Sequence, residues 1–288
     1  ATVFLAFEQD KAVVNFRRAT GASGEFDNNI INLERSLYTA GVSTDEAGQA
    51  VQSLFLNVSD FTEMSEDQQE VLAETTAILN ELGIAAETTA DNIQFSTKVL
   101  GQNVDEAAKL QRELQTFAQE LGVSADKVAK DFAKFGPEIA ALGDKGVEAF
   151  RQLEVQAKNT GLQMEELLGI TKQFDTFDGA ASSVGKLNAL LGGPYLNTLE
   201  MVNATNPAER FELLKDSVDR AGKSFEQMEY YERKALAAAV GLNEEQLALM
   251  MNSDLNMIKE PAKTAAEMEA LRQQTAQFNT IMEELSQF

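Results

Sequence analysis

Apolar side chains recur along this chain every three or four residues, in short runs that stop at a glycine and restart behind a polar residue. Leu110, Leu114, Phe117 and Leu121 form one such run, and Val128, Phe132 and Phe135 form the next. This spacing holds the apolar atoms on one face of an α-helix, whereas a strand would need alternation with a period of two, which is nearly absent. The pattern predicts helices near 2–19, 25–40, 44–58, 66–82, 86–99, 104–121, 125–135, 137–142, 144–160, 163–174, 178–191, 207–221, 225–240 and 244–252, with a longer one over 261–288.

The junctions carry the strongest local chemistry. In LGVS at 121–124, Gly122 can take the left-handed conformation that closes a helix, and Ser124 can accept from a free N–H of the next one. Val123 and Val128 stand at the positions of a hydrophobic staple. Capping-box spacing recurs at Ser43 with Glu46, Ser65 with Gln68, Asn103 with Glu106, Asn206 with Glu209, Ser224 with Gln227 and Asn243 with Gln246. Glycines at 83, 101, 122, 143 and 161 are 18 to 21 residues apart, so the middle of the chain advances by one short helix per step. The expected fold is all-α: an array of short helices joined by tight Gly-ended turns, an irregular solenoid or multi-helix bundle, each helix packing mainly on its sequence neighbours, with a longer C-terminal helix. The expected regions are 1–60 (N-terminal helices), 61–160 (helical repeats), 161–255 (a further helical domain) and 256–288 (C-terminal helix). Flexible links are expected at 18–25 and 251–261.

Met268, Leu271, Thr275, Phe278, Met282 and Leu285 alternate in threes and fours, the period of a coiled-coil seam, over about two and a half heptads. A surface helix is the competing reading. Phe174 and Phe177 read as core, and Gly192, Gly193 and Pro194 as a rigid reversal against which Tyr195 and Leu196 pack. Tyr230 and Tyr231, beside Arg233 and Lys234, admit two readings, core packing or a partner-contact surface.

Composition narrows the chemistry. The 288 residues include 46 acidic and 24 basic ones, a formal charge of −22, so phosphate backbones and anionic lipid surfaces repel the chain and direct nucleic-acid binding is not expected. No run approaches the 18 apolar residues needed to span a bilayer, so no membrane segment is expected. The chain has neither Cys nor His, which removes the thiol nucleophile, the disulfide framework, the commonest general base and the commonest metal ligand. The opening TVFLAFEQDKAVVNF reads as a helix whose beginning is missing, and the chain as a piece of a longer polypeptide.

Three fragments mimic reactive motifs and fail on particular residues. DTFDG at 175–179 opens like a calcium loop, but Phe177 stands where an oxygen ligand belongs and Lys186 where a bidentate Glu belongs; Asp178 reads as a helix cap. GAASSVGKL at 179–187 has one residue too many between its glycines for a phosphate loop, and Leu187 replaces the magnesium-binding hydroxyl. Glu165 and Glu166 are neighbours on a helix and point about 100° apart, which does not suit paired-carboxylate glycoside hydrolysis. No catalytic, cofactor-binding or metal-binding residue is assigned, and no enzyme is expected.

FDTFDGAASSVGKLNALLGG at 174–193, then NPAERFELLKDSV and SFEQMEYYERKALAAAVGLNEEQLA, follow in an order that resembles tailed-bacteriophage virion proteins of the tail tape measure kind. LNELGI and FAQELGVSADKVAKDF resemble helical repeats of the same family, so the resemblance covers roughly 60–255. It implies a virion protein made in the host cytoplasm, lying inside the tail tube, setting tail length and leaving ahead of the DNA. It also implies partners in the tail tube and the baseplate or hub, and a homotrimer, placed through the seam at Leu271, Phe278 and Leu285. A helical adaptor or scaffold module binding a protein partner is the alternative expectation. A tail-associated peptidoglycan hydrolase is the third.

Overall fold

The computed structural model describes residues 2–255, with side chains described from residue 8. Among the described residues there are fifteen α-helices and no strand. Their contacts divide the chain into two units, one running to Gly136 and one starting at Pro137. The expected boundaries at 60/61 and 160/161 fall inside these units. The C-terminal seam at Leu271, Phe278 and Leu285 lies outside the described residues.

The first unit holds α1 (Thr2–Thr20), α2 (Asp27–Leu37), α3 (Thr44–Asn57), α4 (Glu66–Glu81), α5 (Ala86–Lys98), α6 (Val104–Leu121) and α7 (Ala125–Lys134). Helices two apart pack side by side: α1 on α3, α3 on α5 and α5 on α7 make one row, and α2 on α4 and α4 on α6 make the other. Neighbours in sequence, such as α3 with α4 and α6 with α7, bridge the rows. This is the two-layer stacking of helical-repeat proteins. Each helix thus packs on its sequence neighbours, as expected, and as closely on the helix after next, because a short turn folds the chain from one row to the other.

Inner helices are consequently enclosed. Leu72, Ala73, Thr75, Thr76, Ala77, Ile78 and Leu79 of α4 are all buried. At one end of the stack Phe26 packs against Phe16, Phe55 and Phe61 with ring centroids 5.4 to 6.0 Å apart, a cluster that adds edge and stacking contacts to apolar burial.

The second unit contains α8 (Gly136–Leu142), which begins at the boundary, then α9 (Gly146–Thr160), α10 (Met164–Lys172), α11 (Phe177–Leu191), α12 (Thr198–Asn203), α13 (Pro207–Arg220), α14 (Tyr230–Val240) and α15 (Glu244–Asn252). It is a bundle: α13 returns to pack on α9 and α10, α11 is flanked by α12 and α14, and α15 touches α9, α13 and α14.

The junction chemistry is formed as the sequence indicates. Gly122 has φ +69°, and the amides of Val123 and Gly122 donate to Ala118 O (3.0 Å) and Gln119 O (3.1 Å), a Schellman closure. Reciprocal boxes form at Ser43/Glu46, Ser65/Gln68, Asn103/Glu106 and Asn243/Gln246. Each cap is worth about 1 kcal/mol.

Four local expectations are corrected. Asn206 caps α13 through the Ala208 amide (2.9 Å) with no reciprocal bond from Glu209. Ser224 makes no cap bond, and 225–227 forms only a 3₁₀ turn, because Arg233 takes the carbonyls of Phe225 (2.9 Å) and Glu226 (3.1 Å) that a continuing helix would use. Helix α14 starts instead at Tyr230, with Glu232 accepting from the Glu229 amide (3.1 Å). Thr176, not Asp178, caps α11, which places Phe177 at the first helical position with its ring 58% exposed while Phe174 is buried.

Candidate interaction surface

The N-terminus of α14 carries the most exposed aromatic pair among the described residues. Its buried face is Leu236, Ala237 and Val240, and at 100° per residue Tyr231 falls on the opposite side. Tyr230 and Tyr231 are 61% and 79% exposed and meet edge to face with centroids 5.2 Å apart. The partner-contact alternative for this pair agrees with that exposure and the core alternative does not.

Two cations frame the tyrosines. Lys234 Nζ lies 5.2 Å from the Tyr230 ring centroid, and its hydrogen bond to Tyr230 pushes the ammonium above its ordinary pKa. The Arg233 guanidinium stacks 4.6 Å from the Phe225 ring while donating to two backbone carbonyls. The Glu244 charge also acts on Lys234, and Glu226, Glu229 and Glu232 of the same stretch are exposed. Lys223 bonds Glu232 (3.0 Å) and Leu190 O (3.0 Å), and its hydrogen bond holds the Glu232 carboxyl below the usual range. This surface therefore offers two exposed aromatic rings among charges of both signs, and aromatic residues are enriched at protein interfaces.

In the first unit a cleft of about 300 Å³ opens between α2 and α4. Its floor includes Leu33, Phe61 and Ala73, and its rim carries Glu25, Glu66 and Glu70. None of the three carboxylates meets a cation among the described residues. Gln69, buried at the wall, donates to Phe61 O (2.8 Å) and fixes the short link between α3 and α4. One turn beyond Glu70, the half-buried Glu74 has its carboxyl pushed up to about 7, by burial first and by the Glu70 charge second. On the same helix, Glu81 is raised by its hydrogen bond to Glu46; burial works against Glu46, but bonds to Ser43 and Glu81 bring it down.

Glu165 and Glu166 sit in the first turn of α10, where Glu166 serves as the partner of the Gln163 amide (2.8 Å). Among the described residues no group of three acidic side chains is placed to hold a metal, and no helix is long and apolar enough to cross a membrane. The buried Arg210 is spent on structure: it donates to Met201 O (3.2 Å), Ala204 O (2.5 Å) and Thr171 O (3.3 Å) and pairs with Asp175. Compared with known proteins, the chain matches no family model, no curated sequence and no solved structure.

The sequence named Tyr230 and Tyr231 but left their side open. A helical projection of 230–240 puts Tyr231 opposite Leu236, Ala237 and Val240 but Tyr230 on the flank, where only its place at the first helical position leaves it exposed. The acidic cleft had no comparable signal, because Glu25 and Glu66 are 41 residues apart and meet only once α2 and α4 stack.

Proposed function

We propose that this chain is a structural protein of a bacteriophage virion, a tape measure-like segment that occupies or lines the tail interior. It acts in tail-length determination, assembly and ejection, through helix-to-helix contacts with further copies and with tube, baseplate or hub proteins. The observation that carries the reading is the exposed pair Tyr230 and Tyr231 at the start of α14, which suits a contact surface on an acidic all-helical chain. The order of segments over 174–248 that resembles tail proteins points the same way, and a charge of −22 suits a protein lying along the path of DNA.

The test is mass spectrometry of purified virions. Peptides of 2–255 at a fixed ratio to the tube protein are expected, and their absence from virions while abundant in the lysate would contradict the proposal.

A second reading, a helical adaptor binding a partner segment, is favoured by the two-row stacking of α1–α7, since stacked helical repeats present extended binding surfaces. It predicts a chain that stays monomeric and is found outside the particle.

A further inference from the structure

The charged groups of the α2/α4 cleft all accept hydrogen bonds and none donates. Glu25, Glu66 and Glu70 line it, and none of them meets a cation among the described residues. Arg17, on the neighbouring α1, is taken up by Asp27, to which it donates through both Nε (3.0 Å) and Nη2. At the wall, Gln69 is only 8% exposed. Its Nε2 donates to Phe61 O (2.8 Å) and Met64 O (3.3 Å), but its Oε1 receives only a long bond from Asn29 Nδ2 (3.5 Å). A buried carbonyl oxygen so weakly satisfied, beside three carboxylates, is matched by an N–H brought from outside. Asn28 and Asn32 stand one turn apart on α2, line the same cleft and make no side-chain hydrogen bond among the described residues.

We propose that this cleft docks an extended basic segment of a partner protein. A lysine or arginine side chain of the segment lies over Leu33 and Phe61 with its charge among Glu25, Glu66 and Glu70. The carboxamides of Asn28 and Asn32, each a donor and an acceptor, hold the segment's backbone. The inference rests on the reading of the chain as one that works through protein contacts, and it names the chemistry of one partner.

Three physical points select this occupant. First, the cleft, at about 300 Å³, is at the small end of ligand pockets and takes one long side chain rather than a cofactor. Second, a basic side chain uses both parts of the lining, because its methylenes cover apolar surface while its head reaches the carboxylates. A metal ion would use only the carboxylates, and among the described residues no group of three acidic side chains is placed to hold one. Third, a chain of charge −22 draws in a partner of opposite sign and repels nucleic acid. A second copy is the poorer source of the segment, since its 24 basic residues stand among 46 acidic ones.

The experiment titrates the full chain by calorimetry, at about 0.1 M salt, with an end-capped pentapeptide that carries two lysines. The same peptide with glutamines in place of the lysines, and the free diamine cadaverine, serve as comparisons. The lysine peptide is expected to bind, the glutamine peptide to give no heat, and cadaverine, which has no backbone for Asn28 and Asn32, to bind at least about tenfold more weakly. Glu66→Gln with Glu70→Gln is expected to weaken the peptide about 30-fold or more, and Asn28→Ala with Asn32→Ala about fivefold. All four side chains are exposed, and helicity by circular dichroism checks that both variants fold. Glu209→Gln with Glu245→Gln removes the same charge from exposed positions of the second unit and is expected to change nothing. An equal loss in that control would assign binding to the acidic chain at large and overturn the inference. So would cadaverine binding as tightly as the peptide, or no peptide binding at about 1 mM. Loss of self-association in the Glu66/Glu70 variant, seen by sedimentation, would give the cleft to a second copy and overturn the choice of occupant. Each of these results leaves the virion role standing, whereas virions that lack the chain would contradict that role and leave peptide binding intact.

Discussion

Replacing Arg210 by Met tests what holds the second unit together. The side chain is only 7% exposed, and three of its acceptors are carbonyls of buried residues, Thr171 in the last turn of α10, and Met201 and Ala204 at the end of α12. It thus caps two helix C-termini from a third helix, α13, where a positive charge also meets the negative ends of the helix dipoles. The ion pair to Asp175 contributes little, because Asp175 is 57% exposed and such pairs are worth about 0 to 1 kcal/mol. Met fills the volume of the stem but donates nothing, so the Met201 and Ala204 carbonyls lose this donor at about 1 to 3 kcal/mol each, while Thr171 O keeps the Phe174 amide (3.1 Å). With part of that recovered by water, the loss is about 2 to 4 kcal/mol. Hydrogen exchange read by mass spectrometry localises the effect: amides of α10, α12 and α13 are expected to lose protection by about 30- to 1,000-fold, while those of α1 to α7 stay unchanged. Asp175→Asn is expected to cost under about 1 kcal/mol. If Arg210→Met changed protection less than tenfold, or if Asp175→Asn matched it, the capping argument would be wrong.

Glu74 makes the first unit sensitive to pH. Its folded pKa of about 7 lies above the ordinary 4.5, so the folded chain binds the proton more tightly; the unit is most stable below about 4.5 and loses that contribution as pH rises through 7. Glu74→Gln should therefore raise stability at pH 8 by about 1 to 2 kcal/mol, after allowing for solvent screening, and have little effect at pH 4.5, as judged by urea midpoints. Gly146→Ala would place its Cβ 2.5 Å from the Ile139 carbonyl oxygen and 2.6 Å from its Cα, backbone that cannot step aside, and a loss of about 3 kcal/mol is expected on thermal melting. Thr89, 1% exposed, has a hydroxyl with no partner, so Thr89→Val is expected to be neutral or stabilising by up to about 1 kcal/mol; a clear destabilisation in the same melts would mean the hydroxyl is satisfied after all.

How much was legible in advance follows from the range of the chemistry involved. Asn103 and Glu106 are three residues apart, and their box depends on nothing else, so both the start of α6 and its end at Gly122 could be read directly. Helix α12 was missed because six residues between two turns show no period. Phe174 and Phe177 look equivalent in the sequence, and only the cap at Thr176 decides which ring turns outward. The two-row stacking and the role of Arg210 were out of reach, since Arg210 gathers acceptors from as far as 39 residues away along the chain. The same holds for the acidic cleft, which exists only between stacked helices.

The proposed role requires that the chain join copies of itself through helix surfaces. Sedimentation equilibrium of the full chain, from about 1 to about 100 µM, measures this most directly. The account predicts a rise with concentration from 31.5 kDa toward three times that mass. A chain that remains at 31.5 kDa across the whole range, at low and at high salt, would contradict it.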